Sequence, residues 1–243
     1  MQLLMLLVLT LFANSTVEQG QHIMQQVLTE ARRNDEAKQH NLTFKRKKEV
    51  FVLDKQFIVK SRKQEEVARI MPRNGKSVEE IIERDGRPSN QRSEPGRFDV
   101  NIGELLAEVP KHVDFILNDT LSVDEDETRY LTLSMRPKVN PPRNRDRDDT
   151  FNALVGTMWI DLESPFIKKL DIRTSKRISW GWFGFVTLHN LFIEFEAKKR
   201  PDLMNIVVVE SYTATYHYSI AGIDTYERAV YTYSDYGLVN PPQ

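Results

Sequence analysis

From Leu42 onward the sequence breaks into short runs rich in Phe, Val, Ile, Thr and Tyr, which leaves little room for helices. Turn-forming pairs such as Asn74-Gly75 and Asp85-Gly86 bound several of these runs. Runs of β-branched and aromatic residues between turn residues are typical of strands. The sequence therefore predicts about ten strands, near residues 42–53, 56–71, 77–84, 112–119, 128–136, 153–162, 165–174, 183–197, 204–219 and 223–236.

Several of these predicted strands alternate apolar and polar residues. Val113, Phe115 and Leu117 fall on one side of their strand, and Met158 and Ile160 share a side of theirs. Alternation of this kind indicates a sheet with one buried face and one wetter face. Together with long strands near the C-terminus and a helix near the N-terminus, it predicts a mainly β (α+β) fold in which a strongly curved antiparallel sheet wraps a helical element.

An amphipathic helix is predicted for residues 17–33, because apolar residues recur there at helical spacing and polar residues take the other side. A second, short helix is predicted at about residues 101–108, ended by Pro110. Two segments rich in charged residues and proline, 90–97 and 136–150, are predicted to be solvated, mobile loops.

The N-terminus is an unbroken apolar run over residues 1–13, closed by Ala13-Asn14-Ser15. A signal peptidase reads small residues at such positions, and this run is shorter than the roughly twenty residues that a membrane-spanning helix needs. We therefore expect residues 1–15 to be a signal peptide cleaved after Ser15, and residues 16–243 to form one domain that is not an integral membrane protein. Because no Lys or Arg precedes the run, a buried first helix or a start site placed too late is the alternative.

The chain has no cysteine, which excludes disulfides, lipid-modified thiols and cysteine-based metal sites. His22, His40, His112, His189 and His217 are scattered singly, without the spacing of known metal centres, so structural or surface roles are favoured. The sequence has neither the G-x-S-x-G turn of serine hydrolases nor a glycine-rich phosphate loop. We therefore expect a protein that is not an enzyme, with no catalytic residues, metal ligands or cofactor. The formal net charge of −1 gives no reason to expect nucleic acid as a partner.

Two acidic clusters, Asp124–Glu127 and Asp146–Asp149, could in principle supply oxygen ligands to a cation such as Ca²⁺. The first falls where a hairpin must turn, and the second is interleaved with Arg145 and Arg147, which would neutralise its charge. Solvated surface charge is therefore the favoured interpretation of both clusters.

The segment Trp180–Phe185 has the most unusual composition, because bulky aromatic residues alternate with glycines. Glycine lets a strand bend or approach another backbone closely. The segment could form the wall of an apolar cavity, or it could be a kinked strand whose aromatic residues belong to the core, as large aromatic residues usually do.

Five short motifs resemble those of one protein family, and they occur along the chain in the order expected for it. They are Glu83–Pro88 at the end of a hairpin, Val113–Phe115 opening a strand, Met158–Asp161, Ile178–Phe183 and Tyr233–Tyr236 closing the last strand. In these motifs and their spacing the chain resembles bacterial periplasmic proteins of the outer-membrane lipoprotein-sorting (LolA-like) family, and is closest to an uncharacterised branch of it.

The resemblance implies an incomplete antiparallel β-barrel of about ten strands, covered by an N-terminal helix and short lid helices. It also implies a periplasmic location and an apolar cavity suited to acyl chains. From strand alternation, the residues expected to line such a cavity are Phe115, Leu117, Leu131, Leu133, Met158, Ile160, Phe183 and Phe185.

Two functional hypotheses follow. The first is a non-catalytic periplasmic binding or carrier protein for a lipid, the acyl chains of a lipoprotein or another hydrophobic ligand, because burial of apolar groups needs no catalytic residue. The alternative is an envelope regulatory or structural protein that uses the same fold to bind a protein partner through exposed sheet edges.

Overall fold

The computed structural model describes residues 2–73, 76–92, 108–123, 129–142, 148–161, 163–180 and 185–239. A long helix, α1, spans Gln2–Asn41, and a short helix spans Asp148–Phe151. Residues 108–112 are also helical. The strands are β1 Leu42–Leu53, β2 Val59–Arg73, β3 Lys76–Arg84, β4 Arg87–Arg92, β5 Val113–Val123, β6 Arg129–Pro137, β7 Leu154–Asp161, β8 Ile167–Thr174, β9 Ile178–Trp180, β10 Val186–Arg200, β11 Ile206–Ile220 and β12 Ile223–Leu238.

Across the described ranges, the strands form one twelve-stranded antiparallel sheet in the order β4-β3-β2-β1-β12-β11-β10-β8-β7-β6-β5, with β9 paired to the start of β10. Strands β1 to β4, β5 to β8 and β9 to β12 each pair with the next strand along the chain, β8 pairs with β10, and β1 pairs with β12 from Leu42↔Leu238 to Val52↔Glu227. β4 and β5 are left at the two ends of this order, so the sheet does not close. The predicted fold class, a mainly β protein with an open antiparallel sheet and an N-terminal helix, is confirmed.

Two turns show how the local sequence sets the hairpins. Asp85 and Gly86 join β3 to β4 with φ angles of 49° and 76°, and Ala221 and Gly222 join β11 to β12 with φ angles of 51° and 81°. Two-residue hairpin turns of type I′ need positive φ at both positions, which Asp and Gly adopt readily and which Ala221 also adopts here. The predicted turn at Asp85-Gly86 is therefore confirmed, whereas Asn74-Gly75 lies outside the described residues.

The main core lies between one face of the sheet and α1. Met24 and Val27 of α1 are each 1% exposed and pack on buried apolar residues from β5 to β8, β10, β11 and β12. A smaller cluster of Leu42, Leu203 and Ile206 lies where α1 ends and β1 begins. Within the described part of the chain, no helix is both long and apolar enough to cross a membrane.

All ten predicted strands have a counterpart, and two observed strands were not predicted. β4 includes residues 90–92, so the prediction that these residues form a loop is wrong; β3 offers them an edge to pair with, which overrides the low strand propensity of their side chains. β9 has only three residues, too few to show a pattern. Residues 93–97 of the predicted loop lie outside the described residues.

The predicted helices differ from the observed ones mainly in their ends. α1 extends beyond the predicted 17–33 at both ends. At its start it includes residues that the sequence assigns to a signal peptide, and its last turns were missed because they are polar and lack an apolar stripe. Residues 101–107 lie outside the described residues, but residues 108–112 are helical, so the prediction that Pro110 ends this helix is wrong.

The predicted loop at 136–150 is also more structured than expected. Arg136 and Pro137 belong to β6, and Asp148 begins the short helix with only 1% of its surface exposed. Asp148 Oδ1 lies 3.8 Å from Nε2 of buried His112, whose Nδ1 is 2.7 Å from Oδ1 of Asn152. The interpretation of the second acidic cluster as solvated surface charge is therefore wrong for Asp148. Asp148 is buried beside His112, and it packs this end of the segment against the core. Residues 143–147 and the first acidic cluster lie outside the described residues.

Candidate functional site

Six of the eight residues predicted to line a cavity meet on one face of β5, β6 and β7. Strand register places Leu117 opposite Leu133, Leu133 opposite Met158, and Leu131 opposite Ile160. Phe115, Leu133 and Met158 have no exposed surface. The alternation thus identified a continuous inward face.

α1 covers this inward face tightly. Gly20 is buried, and a Cβ at its position would overlap the carbonyl oxygen of Phe115. Helix and strand backbones are therefore in direct contact, with Met24 and Val27 packed alongside. Around Phe115 the inward face is a packed core, and none of the predicted residues that the structure describes lies on the wall of the cavity described next.

The remaining two predicted residues are placed differently. Phe183 lies outside the described residues, and Phe185 is 57% exposed just before β10. For all eight residues, direct contact with a ligand stays a prediction.

A cavity of about 420 Å³ lies between the C-terminal half of α1 and the sheet, and it is partly open to solvent. Its walls come from α1, β8, β10 and β11, with the turns at Ser164–Phe166 and Met204–Asn205 at its ends. Most of its lining is apolar, and includes Val27, Ala31, Leu170, Phe195, Ala197 and Val209. Its volume falls within the roughly 300–1,000 Å³ of small-molecule sites.

Asn34 fixes the helix at this cavity. Its Nδ2 donates to the carbonyl oxygen of Val207 at 2.9 Å, and its Oδ1 accepts from the Val207 N–H at 2.7 Å. The side chain of Asn34 thus bonds to the backbone of β11 as a neighbouring strand would. β12 does not do so at this point, because the pairing of β11 with β12 starts only at Ser211. α1 is therefore attached to β5 near Gly20 and to β11 at Asn34, and the cavity lies beside the second attachment.

Charged side chains lie among the polar lining residues. Lys38 Nζ is 3.9 Å from Asp35 Oδ1, and burial is the main cause that lowers the pKa of Lys38 and raises the pKa of Asp35, although each charge opposes the shift of the other. Lys199 Nζ donates to the Ser164 hydroxyl at 3.0 Å. Among the described residues Lys199 has no carboxylate partner within 4 Å, so its positive charge is available to an anionic group.

A pattern in the sequence of α1 indicates the helical wall of this cavity, but strand alternation does not reveal it. Val27, Ala31, Asn34 and Lys38 recur at spacings of three and four residues, which places them on one face of α1. Small and polar residues along that face leave space where large apolar residues would fill it. The same face nearer the N-terminus carries Met24, which packs closely on the sheet.

No protein-family model and no curated protein matches the chain. Among solved structures, it is similar to a crystal structure described as an outer membrane lipoprotein-sorting protein domain from Vibrio parahaemolyticus. The alignment covers 93% of this chain and 95% of that chain, with 13% sequence identity and a TM-score of 0.45.

Proposed function

We propose that the chain is a non-catalytic binding or carrier protein for a lipid, lipoprotein acyl chains or another hydrophobic ligand, which it holds between α1 and the sheet. The observation that carries this proposal is the cavity of about 420 Å³, with walls of apolar side chains from α1, β8, β10 and β11 and an opening to solvent. Such a site takes up an apolar chain and releases it without breaking a bond.

The energetics of burial suit such a ligand. Each methylene group removed from water contributes about 0.8 kcal/mol, so a chain segment of about ten methylenes would gain about 8 kcal/mol before the cost of ordering it. The side chains of Val27 and Ala197 in the wall have no polar atom, and both the amide nitrogen and the amide oxygen of Asn34 are hydrogen-bonded to Val207. These wall residues therefore suit the binding of an apolar chain and not catalysis.

Export to the periplasm is part of the same proposal. The cavity uses α1 only from Val27 onward, so cleavage after Ser15, as the sequence predicts, leaves the helical wall in place. Gly20 and Met24, which attach the helix to the sheet, also follow that position.

Substitution of Ala31 with tryptophan is expected to weaken binding of a fluorescent fatty acid about tenfold or more, because the indole would occupy the space between α1 and the sheet. Binding is measured by fluorescence titration of the purified protein. Gln25→Trp is the matched control, since it adds the same bulk on the exposed side of the same helix. Failure of the native protein to bind the probe, or equal binding by Ala31→Trp in protein that remains folded, contradicts the proposal.

Lys199 is expected to favour ligands with an anionic group. Lys199→Met should weaken binding of the fluorescent fatty acid about 3- to 10-fold, and binding of the corresponding fatty alcohol much less, because only the acid can pair with the ammonium group. Lys198→Met is the control, because Lys198 is exposed on the other face of β10. Equal losses for acid and alcohol, or equal losses in the two variants, contradict this role for Lys199.

A further inference from the structure

Three side chains with metal-ligating atoms meet near the turn between β11 and β12. Nε2 of His217 lies 3.2 Å from Oδ1 of Asp224, and Nε2 of His189 lies 3.7 Å from the same oxygen. One ligand atom from each residue lies within 4.8 Å of the other two. The histidine side chains are 16% exposed and the aspartate 48%, so the group is partly buried but accessible.

The sheet holds these residues together without help from sequence spacing. His189 lies at a bulge between Leu188 and Asn190 of β10, and His217 lies opposite Asn190 on β11. Asp224 is at the start of β12, opposite Ser219. All three side chains project from the face opposite the core residues Tyr212 and Ala214.

Ring stacking fixes the orientation of both histidines. The rings of His189 and His217 stack with centroids 4.3 Å apart, and His217 stacks on Tyr226 at 4.1 Å. Phe57 meets Tyr226 edge to face at 5.6 Å and extends the row to the turn after β1. A side chain held by such packing loses little further freedom when it binds an ion.

We propose that His189, His217 and Asp224 form a binding site for a divalent first-row transition metal ion of the Zn²⁺ class. Zn²⁺ is bound by imidazole nitrogen and carboxylate oxygen at roughly 2.0–2.2 Å in a tetrahedron, which places two ligand atoms roughly 3.3 Å apart. The separations of 3.2 Å and 3.7 Å from Asp224 Oδ1 are close to that spacing, and the ligand nitrogens of the two histidines lie within 4.8 Å of each other. The two stacked imidazoles therefore have to turn toward each other for both nitrogens to reach one ion. Two imidazoles and one carboxylate select Zn²⁺, Cu²⁺ or Ni²⁺ over Ca²⁺ and Mg²⁺.

A further contact bears on the site. Nε2 of His189 also lies 3.0 Å from Oγ of Ser219, a contact that the metal would replace.

This site is independent of the proposed ligand cavity. Residues 206–209 of β11 line the cavity, whereas His217 lies farther along β11 and projects from the opposite face of the sheet. At about 3.3 Å per residue, the two lie roughly 30 Å apart along the strand. Loss of one site therefore leaves the other intact.

The test is titration of the purified protein with Zn²⁺, in which calorimetry measures binding and NMR detects the histidine side chains that change. We expect one Zn²⁺ per chain, with shifts of His189 and His217 resonances and none for His22 or His40, and a rise in Tm of about 5 °C when Zn²⁺ exceeds its Kd 100-fold. His189→Gln, His217→Gln and Asp224→Asn should each weaken Zn²⁺ binding about 10- to 100-fold.

The matched controls are His22→Gln and His40→Gln, which remove exposed histidines from α1 and should leave Zn²⁺ affinity unchanged. Asp224→Asn is the mildest variant and keeps the shape of a half-exposed side chain, so it reports on binding even if a histidine variant folds poorly. Failure of the protein to bind Zn²⁺, binding lost with His22 or His40 instead, or undiminished binding by folded Asp224→Asn would overturn the proposal.

Discussion

Substitution of Phe115 with alanine is expected to lower the free energy of unfolding by about 3–5 kcal/mol, as measured by urea denaturation. The Phe115 side chain has no exposed surface and belongs to the core cluster between β5 and α1. Removal of the ring leaves a cavity that the closely packed helix backbone at Gly20 cannot move in to fill. The cost therefore includes both lost burial and an empty space.

Phe185→Ala is the control for the same change at an exposed position. Because Phe185 is 57% exposed, its removal should alter the free energy of unfolding by no more than about 0.5 kcal/mol. The pair also separates core packing from ligand contact. If Phe115→Ala left stability unchanged and weakened fatty-acid binding instead, Phe115 would line a ligand site, as strand alternation predicts, and the core assignment would be wrong.

Strand alternation predicted the sheet well, because alternation is a direct consequence of burying one face. The limits of β1 agree with the predicted 42–53, and the long strands β10, β11 and β12 agree within a few residues at each end. β4 was missed because its formation depends on pairing with β3, a contact between strands that its own side chains do not signal.

The candidate site was harder to predict, because alternation identifies an inward face but not what covers it. Phe115 and Leu133 face inward as expected, yet α1 packs directly on that part of the sheet. The open space lies farther along, where α1 presents Ala31 and Asn34 to β10 and β11. Only the path of the helix across the sheet decides which inward residues touch solvent.

The histidine group shows a second limit of the sequence. His189 and His217 have no metal-binding spacing, and the sequence favoured separate structural or surface roles for them. Antiparallel register and a bulge at His189 bring the two rings together, and Asp224 joins them through the next hairpin. Spacing rules apply to ligands on one helix or loop, and cannot detect ligands on three strands.

Gly20→Ala is expected to lower the free energy of unfolding by about 3 kcal/mol, although the gain in helix propensity alone would raise it. In the interior of a helix, alanine is favoured over glycine by about 1 kcal/mol. Here the added Cβ would overlap the carbonyl oxygen of Phe115, which is backbone and cannot rotate away. α1 must therefore move off β5, which loosens the packing of Met24 and Val27. Urea denaturation measures the loss.

Gly237→Ala provides the matched control, because a Cβ there would lie 3.7 Å from Cγ2 of Thr43, an ordinary contact distance. That variant should be as stable as the native protein or slightly more so. Because α1 is attached at Gly20 and at Asn34, displacement of the first attachment should also tilt the helical wall of the cavity and change fatty-acid affinity in Gly20→Ala alone. A stabilising effect of Gly20→Ala would show that α1 does not pack directly on the β5 backbone, and that helix propensity dominates at this position.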